Sequence, residues 1–172
     1  LISIGKKNLN KNKLYCLDFE KIIDKIYNTE ANLISCIFVL EHLENPNEIF
    51  KAFKKSKAKY FYFAVPLVSF STFIENAFSK VYPRQLGGAH TNLYSKKSLN
   101  YISKKYKLKT VSEWWFGSDF LDLYRSLSLS FNYESKIFEK KFQEYFLKHI
   151  NKFQAVLDQS SSSSEVHMIL KK

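Results

Sequence analysis

Glycine is scarce here, with 4 in 172 residues, and proline scarcer still, with 3. That is a meagre supply of tight-turn residues for any fold that must wrap loops around a cofactor. The two cysteines, Cys16 and Cys36, lie in apolar strand-like runs, without CxxC spacing and without a histidine at ligand spacing. They argue against a disulfide scaffold and read as reduced core residues; no metal site is expected. No apolar run approaches the roughly 20 residues of a membrane span, and no signal peptide is visible, so the expectation is a cytoplasmic protein without a membrane span. GxSxG, the Walker loop, HExxH and paired CxxC are all missing, which removes several hydrolase, nucleotidase and zinc classes. Ser160 to Ser164 has no His/Asp partner nearby and reads as a linker. The only methionine is Met168 and residue 1 is leucine, so the chain is expected to be the C-terminal part of a longer protein.

What is abundant is aromatic and basic. There are 16 Phe and 11 Tyr, and 45% of residues are hydrophobic, enough for the core of one domain. Lys plus Arg number 27 against 16 acidic residues, a net charge of +11. The lysines are scattered singly and in pairs, with no basic helix face or tail. That pattern suits a solvated surface better than a nucleic-acid footprint, so nucleic acid is a less favoured partner.

Apolar periodicity alternates between strand and helix through residues 14–116. Leu14 to Leu17 reads as a short strand ending at Asp18, and Phe19 to Tyr27 has helical spacing. Leu33 to Leu40 reads as a buried central strand that stops abruptly at Glu41-His42, before a turn with Pro46 and a helix over 47–55. Lys59 to Val68 reads as a second buried strand with Pro66 near its end. A helix is expected over 71–81, a loop over 82–88, and a Ser95-capped helix to about Lys105. Leu108 to Phe116 reads as a strand, and Leu1 to Gly5 as another short one. Residues 118–158 are helix-rich, with Ser118 and Asp119 as candidate caps. Glu165 to Leu170 reads as a final edge strand able to pair antiparallel with 108–116. The expected fold is therefore α/β, a partial doubly wound (Rossmann-like), mostly parallel sheet with an antiparallel last strand and a helical insertion. Its divisions are 1–117 as core, 118–158 as insertion or lid, and 159–172 as the final edge strand.

Leu33-Ile34-Ser35-Cys36, then Val39-Leu40-Glu41-His42-Leu43 and Asn45-Pro46, resembles the fourth-strand motif of class I S-adenosylmethionine-dependent methyltransferases. By the same resemblance, Leu14 to Leu17 corresponds to the third strand and Lys59 to Pro66 to the fifth. Gly88-Ala89-His90-Thr91-Asn92-Leu93-Tyr94-Ser95 is similar to a motif that comes after the fifth strand in one broad subgroup. The resemblance implies S-adenosylmethionine as cofactor, held at the carboxyl edge of the sheet. Asp18-Phe19 would read adenine, and Phe38, Leu40 and Glu41 would lie on the cofactor side. A second role for Asp18, capping the helix that begins at Phe19, stays open. Three departures stand out: the GxGxG loop is absent, Gly5 and Lys6 stand where an acidic residue would grip ribose if Leu1 to Gly5 is the second strand, and Asn32 and Phe38 replace the family's more usual Asp and polar residue. The glycine loop either precedes residue 1 or is lost in a shortened, inactive relative.

Methyl transfer from a sulfonium needs alignment and, for many acceptors, removal of a proton. His42 and His90 are the candidate bases, since imidazole titrates near neutral pH; the alternative for His42 is a hydrogen bond at the helix entry. Tyr94 and Trp115 are candidate acceptor contacts, or core. The resulting functional expectation is methyl transfer to a small-molecule or saccharide-type acceptor. The alternatives are a degenerate, non-catalytic interaction domain and an RNA-modifying methyltransferase.

Overall fold

The computed structural model describes residues 6–7, 15–131 and 136–172. In chain order the elements are α1 (Phe19–Tyr27), β1 (Leu33–Ile37), a single 3-10 turn (Leu40–His42), α2 (Asn47–Lys55), β2 (Tyr60–Pro66), α3 (Phe70–Ala77) and α4 (Lys96–Lys105). Then come β3 (Lys109–Phe116), α5 (Asp119–Ser128), α6 (Lys136–Gln159) and β4 (Glu165–Lys171).

The strands order as β1-β2-β4-β3. β1 and β2 pair in parallel, with Leu33 opposite Tyr60 and Ile37 opposite Ala64. β4 runs antiparallel to both β2 and β3. Three of the four strands therefore point the same way, and the last strand in sequence is the reversed one, inserted between its predecessors. This is the expected α/β sheet with its antiparallel last strand, and the pairing of 109–116 with 165–171 is as anticipated.

One sheet face carries the core. Phe61, Phe63 and Val65 of β2 and Val166, Met168 and Leu170 of β4 alternate inward and meet Ile49, Phe50 and Phe53 of α2 and Leu99 of α4. Phe61 stacks on Phe53 at 5.2 Å and meets Phe50 edge-on at 5.5 Å, which is where much of the aromatic content goes. Each fully buried Phe contributes about 1.5–3 kcal/mol. The opposite face is thinly covered: Tyr62, Trp114 and Phe116 gather around His167, whose Nδ1 pairs with the Tyr62 hydroxyl.

Local chemistry explains the helix limits. Ser95 and Ser98 form a reciprocal capping box at the start of α4, and Lys104 and Lys105 complement the dipole at its end. Pro66 closes β2, where its missing N–H leaves no ladder bond unmade.

Several sequence expectations need correction. Residues 15–18 form no strand, and Leu14 and the strand expected at 1–5 lie outside the described residues. The strand expected over 33–40 ends at Ile37, because Phe38 turns into the left-handed region at φ 51° and Leu40–His42 then coils. Among the described residues β1 stands at the sheet's edge rather than its centre, and Leu33 and Ile37 remain 47% and 46% exposed. Conversely, β4 is not an edge strand: its alternating pattern arises because one face is core and the other is the thinly covered aromatic face. The helix expected over 71–81 covers only Phe70–Ala77. Cys36 is buried, but Cys16 is exposed.

The helical pair α5–α6 is joined by aromatic contacts, Tyr124 stacking on Phe142 at 5.8 Å and Phe120 meeting Phe153 at 5.3 Å. It is fastened to the sheet by Asp119, fully buried at the start of α5. Asp119 Oδ1 accepts from the Ser69 hydroxyl (2.8 Å) and the Ser71 N–H (3.0 Å), and Oδ2 from the Ser164 N–H (2.9 Å) and the Gln154 amide (3.2 Å). One carboxylate thus ties the starts of α3 and β4 to both helices. Burial alone would raise its pKa, but the hydrogen bonds from Ser71, Ser69 and Gln154 outweigh burial and hold it below the ordinary aspartate value of 3.8. Gly117 leaves room for this junction. A Cβ there would fall 2.6 Å from Asp119 Oδ2 and 2.8 Å from the Ser164 nitrogen, and would also collide with the Ser164 hydroxyl.

Replacing Asp119 with alanine strands several buried donors and should cost about 3 kcal/mol or more in denaturant unfolding. Because the folded carboxyl is the stronger acid, its stabilisation is present above about pH 4 and lost as pH falls through the depressed folded value. The acid limb of the unfolding curve should therefore flatten in Asp119→Asn. Gly117→Ala should lower the thermal midpoint by several degrees through the Cβ clash at Ser164; an unchanged midpoint would show that the junction yields.

Candidate active site at the carboxyl edge of the sheet

β1 and β2 end side by side, at one rim of the sheet. Phe38 still donates its N–H to Ala64 O of β2 (3.0 Å), then its positive φ swings the chain out of the ladder. Such a conformation costs a bulky residue about 1–2 kcal/mol. The 3-10 turn then buries Leu40 and Glu41 and leaves His42 exposed.

A distant loop closes onto this turn. Glu41 O accepts from the N–H of Thr91 (2.8 Å) and of Asn92 (3.0 Å), and Leu43 O from the Asn92 amide (2.6 Å). The loop itself is shaped by Glu75, whose carboxylate accepts from the N–H groups of Gln85 and Leu86 at 2.8 Å. The Tyr94 hydroxyl donates to Leu40 O (3.2 Å) and finishes the clasp.

This clasp brings His90 against His42, ring centroids 4.9 Å apart. His42 Nδ1 lies 2.8 Å from Ala89 O and His90 Nδ1 lies 2.9 Å from Gln85 O. A carbonyl can only accept, so each Nδ1 carries a proton, and in the neutral ring Nε2 is left as the lone-pair atom. Glu41, 1% exposed, sits beside them, its Oε1 3.9 Å from His42 Nε2. Its Oε2 is buried and has no hydrogen-bond partner. Burial raises the Glu41 pKa above the ordinary carboxylate range, against its own backbone N–H and the two imidazoles, which pull the other way. Ligand-capable atoms of Glu41, His42 and His90 lie within 4.8 Å of one another.

These groups line a cavity of about 320 Å³ with Phe38, Pro66, Arg84, Gln85 and Glu165. Arg84 bonds Glu165 Oε1 (2.7 Å) and Asp122 Oδ2 (2.9 Å), so its charge is already shared between two carboxylates. A second cavity of about 320 Å³ is lined by Phe19, His42, Leu43, Glu44 and Asn45, so His42 borders both.

The structure therefore gathers Phe38, Glu41, His42 and His90 around one cavity and places Phe19 on its neighbour. Asp18 lines neither: it stands at the N-cap of α1 without making the cap hydrogen bond, and its carboxylate, 82% exposed, accepts from Lys21 (3.1 Å). Leu40 is fully buried core that reaches the site only through its carbonyl. Tyr94 is also buried, and burial, then Glu41 and Cys36, raises its phenol pKa. Trp115 is core and lines a different cavity, beneath Lys96, whose Nζ lies 5.3 Å from its ring. Sequence reasoning missed Arg84, Gln85, Glu75 and Glu165. The one available signal was that Arg84 is one of only two arginines among 27 basic residues.

No protein-family model matches the chain, and neither does any curated protein. Solved structures do. A SAM dependent methyltransferase from Archaeoglobus fulgidus superposes with a TM-score of 0.53 over 99% of this chain and 73% of that one, at 16% identity. A protein from Galdieria sulphuraria described as a sarcosine dimethylglycine methyltransferase gives 0.51 over 99% of this chain and 64% of that one, at 10% identity. With the β1-β2-β4-β3 order and its reversed last strand, these likenesses establish that the chain has the fold of class I S-adenosylmethionine-dependent methyltransferases.

Proposed function

We propose that this chain takes part in methyl transfer from S-adenosylmethionine to a hydroxyl-bearing small-molecule or saccharide-type acceptor, at the rim where β1 and β2 end. The observation that carries the reading is the convergence of Phe38, Glu41, His42 and His90 on one cavity at that rim. In open α/β sheets this edge is where ligands bind.

The residues present fit such a cofactor. The cavity beside Phe19, Leu43 and Asn45 offers a ring and an apolar wall to the adenine, with the Asn45 amide for hydrogen bonding. When bound, the cofactor supplies an activated methyl on a sulfonium. The chain's own task is to orient the acceptor and dispose of its proton. His42 and His90 do so with Nε2 lone pairs whose direction is set by the two Nδ1–carbonyl bonds. The acceptor O–H breaks as the site takes up its proton, an O–CH3 bond forms, and the C–S bond breaks with its electron pair left on sulfur. The paired helices α5 and α6 reach the Arg84 side through α5, where a further cavity of about 440 Å³ is lined by Leu121, Tyr124 and Leu129. They are proposed to shape the acceptor pocket.

Calorimetric titration with S-adenosylhomocysteine tests the cofactor half, and Phe19→Ala should weaken binding about 10-fold through lost ring burial. Labelled methyl donor against a panel of polyols and sugars tests the rest. His90 does not line the adenine cavity, and His90→Ala should cut turnover about 10²- to 10⁴-fold while leaving cofactor affinity nearly unchanged. A chain that binds no S-adenosylhomocysteine would end the proposal.

A further inference from the structure

We infer that Glu41, His42 and His90 form a centre for a first-row divalent metal ion that binds the acceptor's hydroxyl oxygen. The inference rests on the methyl-transfer reading for what the ion does, but not for whether it binds.

Four features of the site point to a cation. First, the Nδ1–H of His42 is held by Ala89 O and the Nδ1–H of His90 by Gln85 O, so in the neutral rings the free lone pair is on Nε2, and both residues line the cavity. A metal-bound histidine characteristically has its other nitrogen hydrogen-bonded in this way. Second, the carboxylate beside them is 1% exposed with Oε2 unpartnered, so it lacks the partner that a buried polar atom ordinarily has and that a bound ion would supply. Third, the cation that shares the cavity, Arg84, already pairs its two terminal nitrogens with Glu165 and Asp122 and makes no ion pair with Glu41. Fourth, the three ligand atoms lie within 4.8 Å of one another. Ligands on one ion stand about 3.0–3.4 Å apart at bond lengths near 2.1 Å, so closure asks only for small side-chain rotations.

The donor set also selects the ion. Two imidazoles and one carboxylate suit manganese, iron, cobalt or zinc, whereas magnesium and calcium prefer all-oxygen shells. Three protein ligands leave positions open toward the cavity. An acceptor hydroxyl bound there has its pKa lowered, as happens to metal-bound water. The proton leaves to solvent, the oxygen attacks the methyl, and the C–S electron pair stays on sulfur. With an ion present the imidazoles hold it, and its acidification of the hydroxyl takes the place of direct proton uptake by His42 and His90.

Cobalt(II) chloride is the probe, titrated into the whole chain and followed by visible absorption. The expectation is a saturable ligand-field spectrum of low coordination number. His42→Ala, His90→Ala and Glu41→Gln should each weaken it at least 10-fold, with unchanged far-UV circular dichroism. His149→Ala, on α6 away from the site, should leave it intact. No ligand-field spectrum, or one that all three substitutions spare, overturns the inference. If a chelator leaves methyl transfer untouched, the acceptor role fails and the methyl-transfer reading survives. If cobalt binds as expected but S-adenosylhomocysteine does not, the metal centre stands and the methyl-transfer reading falls.

Discussion

The carbonyl oxygen of Glu41 is the point on which the site depends. It accepts from Thr91 and Asn92 together, and so pins a loop 50 residues downstream onto the turn after β1. Together with the bonds from Asn92 to Leu43 O and from Tyr94 to Leu40 O, it sets His90 against His42 and beside the buried carboxylate of Glu41. Main-chain acceptors make a sturdy anchor, since the bond survives almost any side-chain replacement at 41. Side-chain chemistry at that position is thereby left free for function. Glu75 performs the complementary task on the loop's other limb by gathering the N–H groups of Gln85 and Leu86.

A second constraint acts at the start of α5. Asp119 joins α3, α5, α6 and the start of β4 through hydrogen bonds within 3.2 Å. It lies where the α5–α6 pair leaves the sheet and where the reversed last strand enters it. Arg84 links the two constraints: it lines the cavity while bonding Asp122 on α5 and Glu165 on β4. The geometry around the cavity is thus coupled to the packing of α5, and a change in one reaches the other through a single guanidinium. Among the described residues no helix is long and apolar enough to cross a membrane.

What the bare sequence disclosed, and what it withheld, divides by the range of the interaction. Ser95 as a cap, Pro66 at a strand end and the helical spacing over 47–55 are local matters, and the structure agrees with each. His42 could be singled out because it stands where an apolar run ends abruptly, and His90 because it sits in a glycine-flanked loop. Their pairing could not, since it needs the loop to fold back onto Glu41 O. Asp119 looked like a helix cap, because an aspartate at a helix start usually is one; only the approach of Ser69, Ser71 and Ser164 makes it a buried junction. Glu165 to Leu170 alternated as an edge strand does, yet lies inside the sheet. Periodicity reports that one face is wetter than the other and says nothing about which strands stand on either side. Arg84 and Glu165 were missed for the same reason, being partners 81 residues apart.

The central claim is that the rim shared by β1 and β2 is a working transfer site, with Phe19 on its adenine side and the Glu41–His42–His90 group on its acceptor side. A crystal structure of the chain grown with S-adenosylhomocysteine tests this most directly. The account predicts adenine density against Phe19 and Asn45, with the sulfur directed toward the cavity of His42 and His90. Density for the molecule elsewhere on the chain, or adenine turned away from Phe19 with His42 and His90 remote from the sulfur, would contradict it.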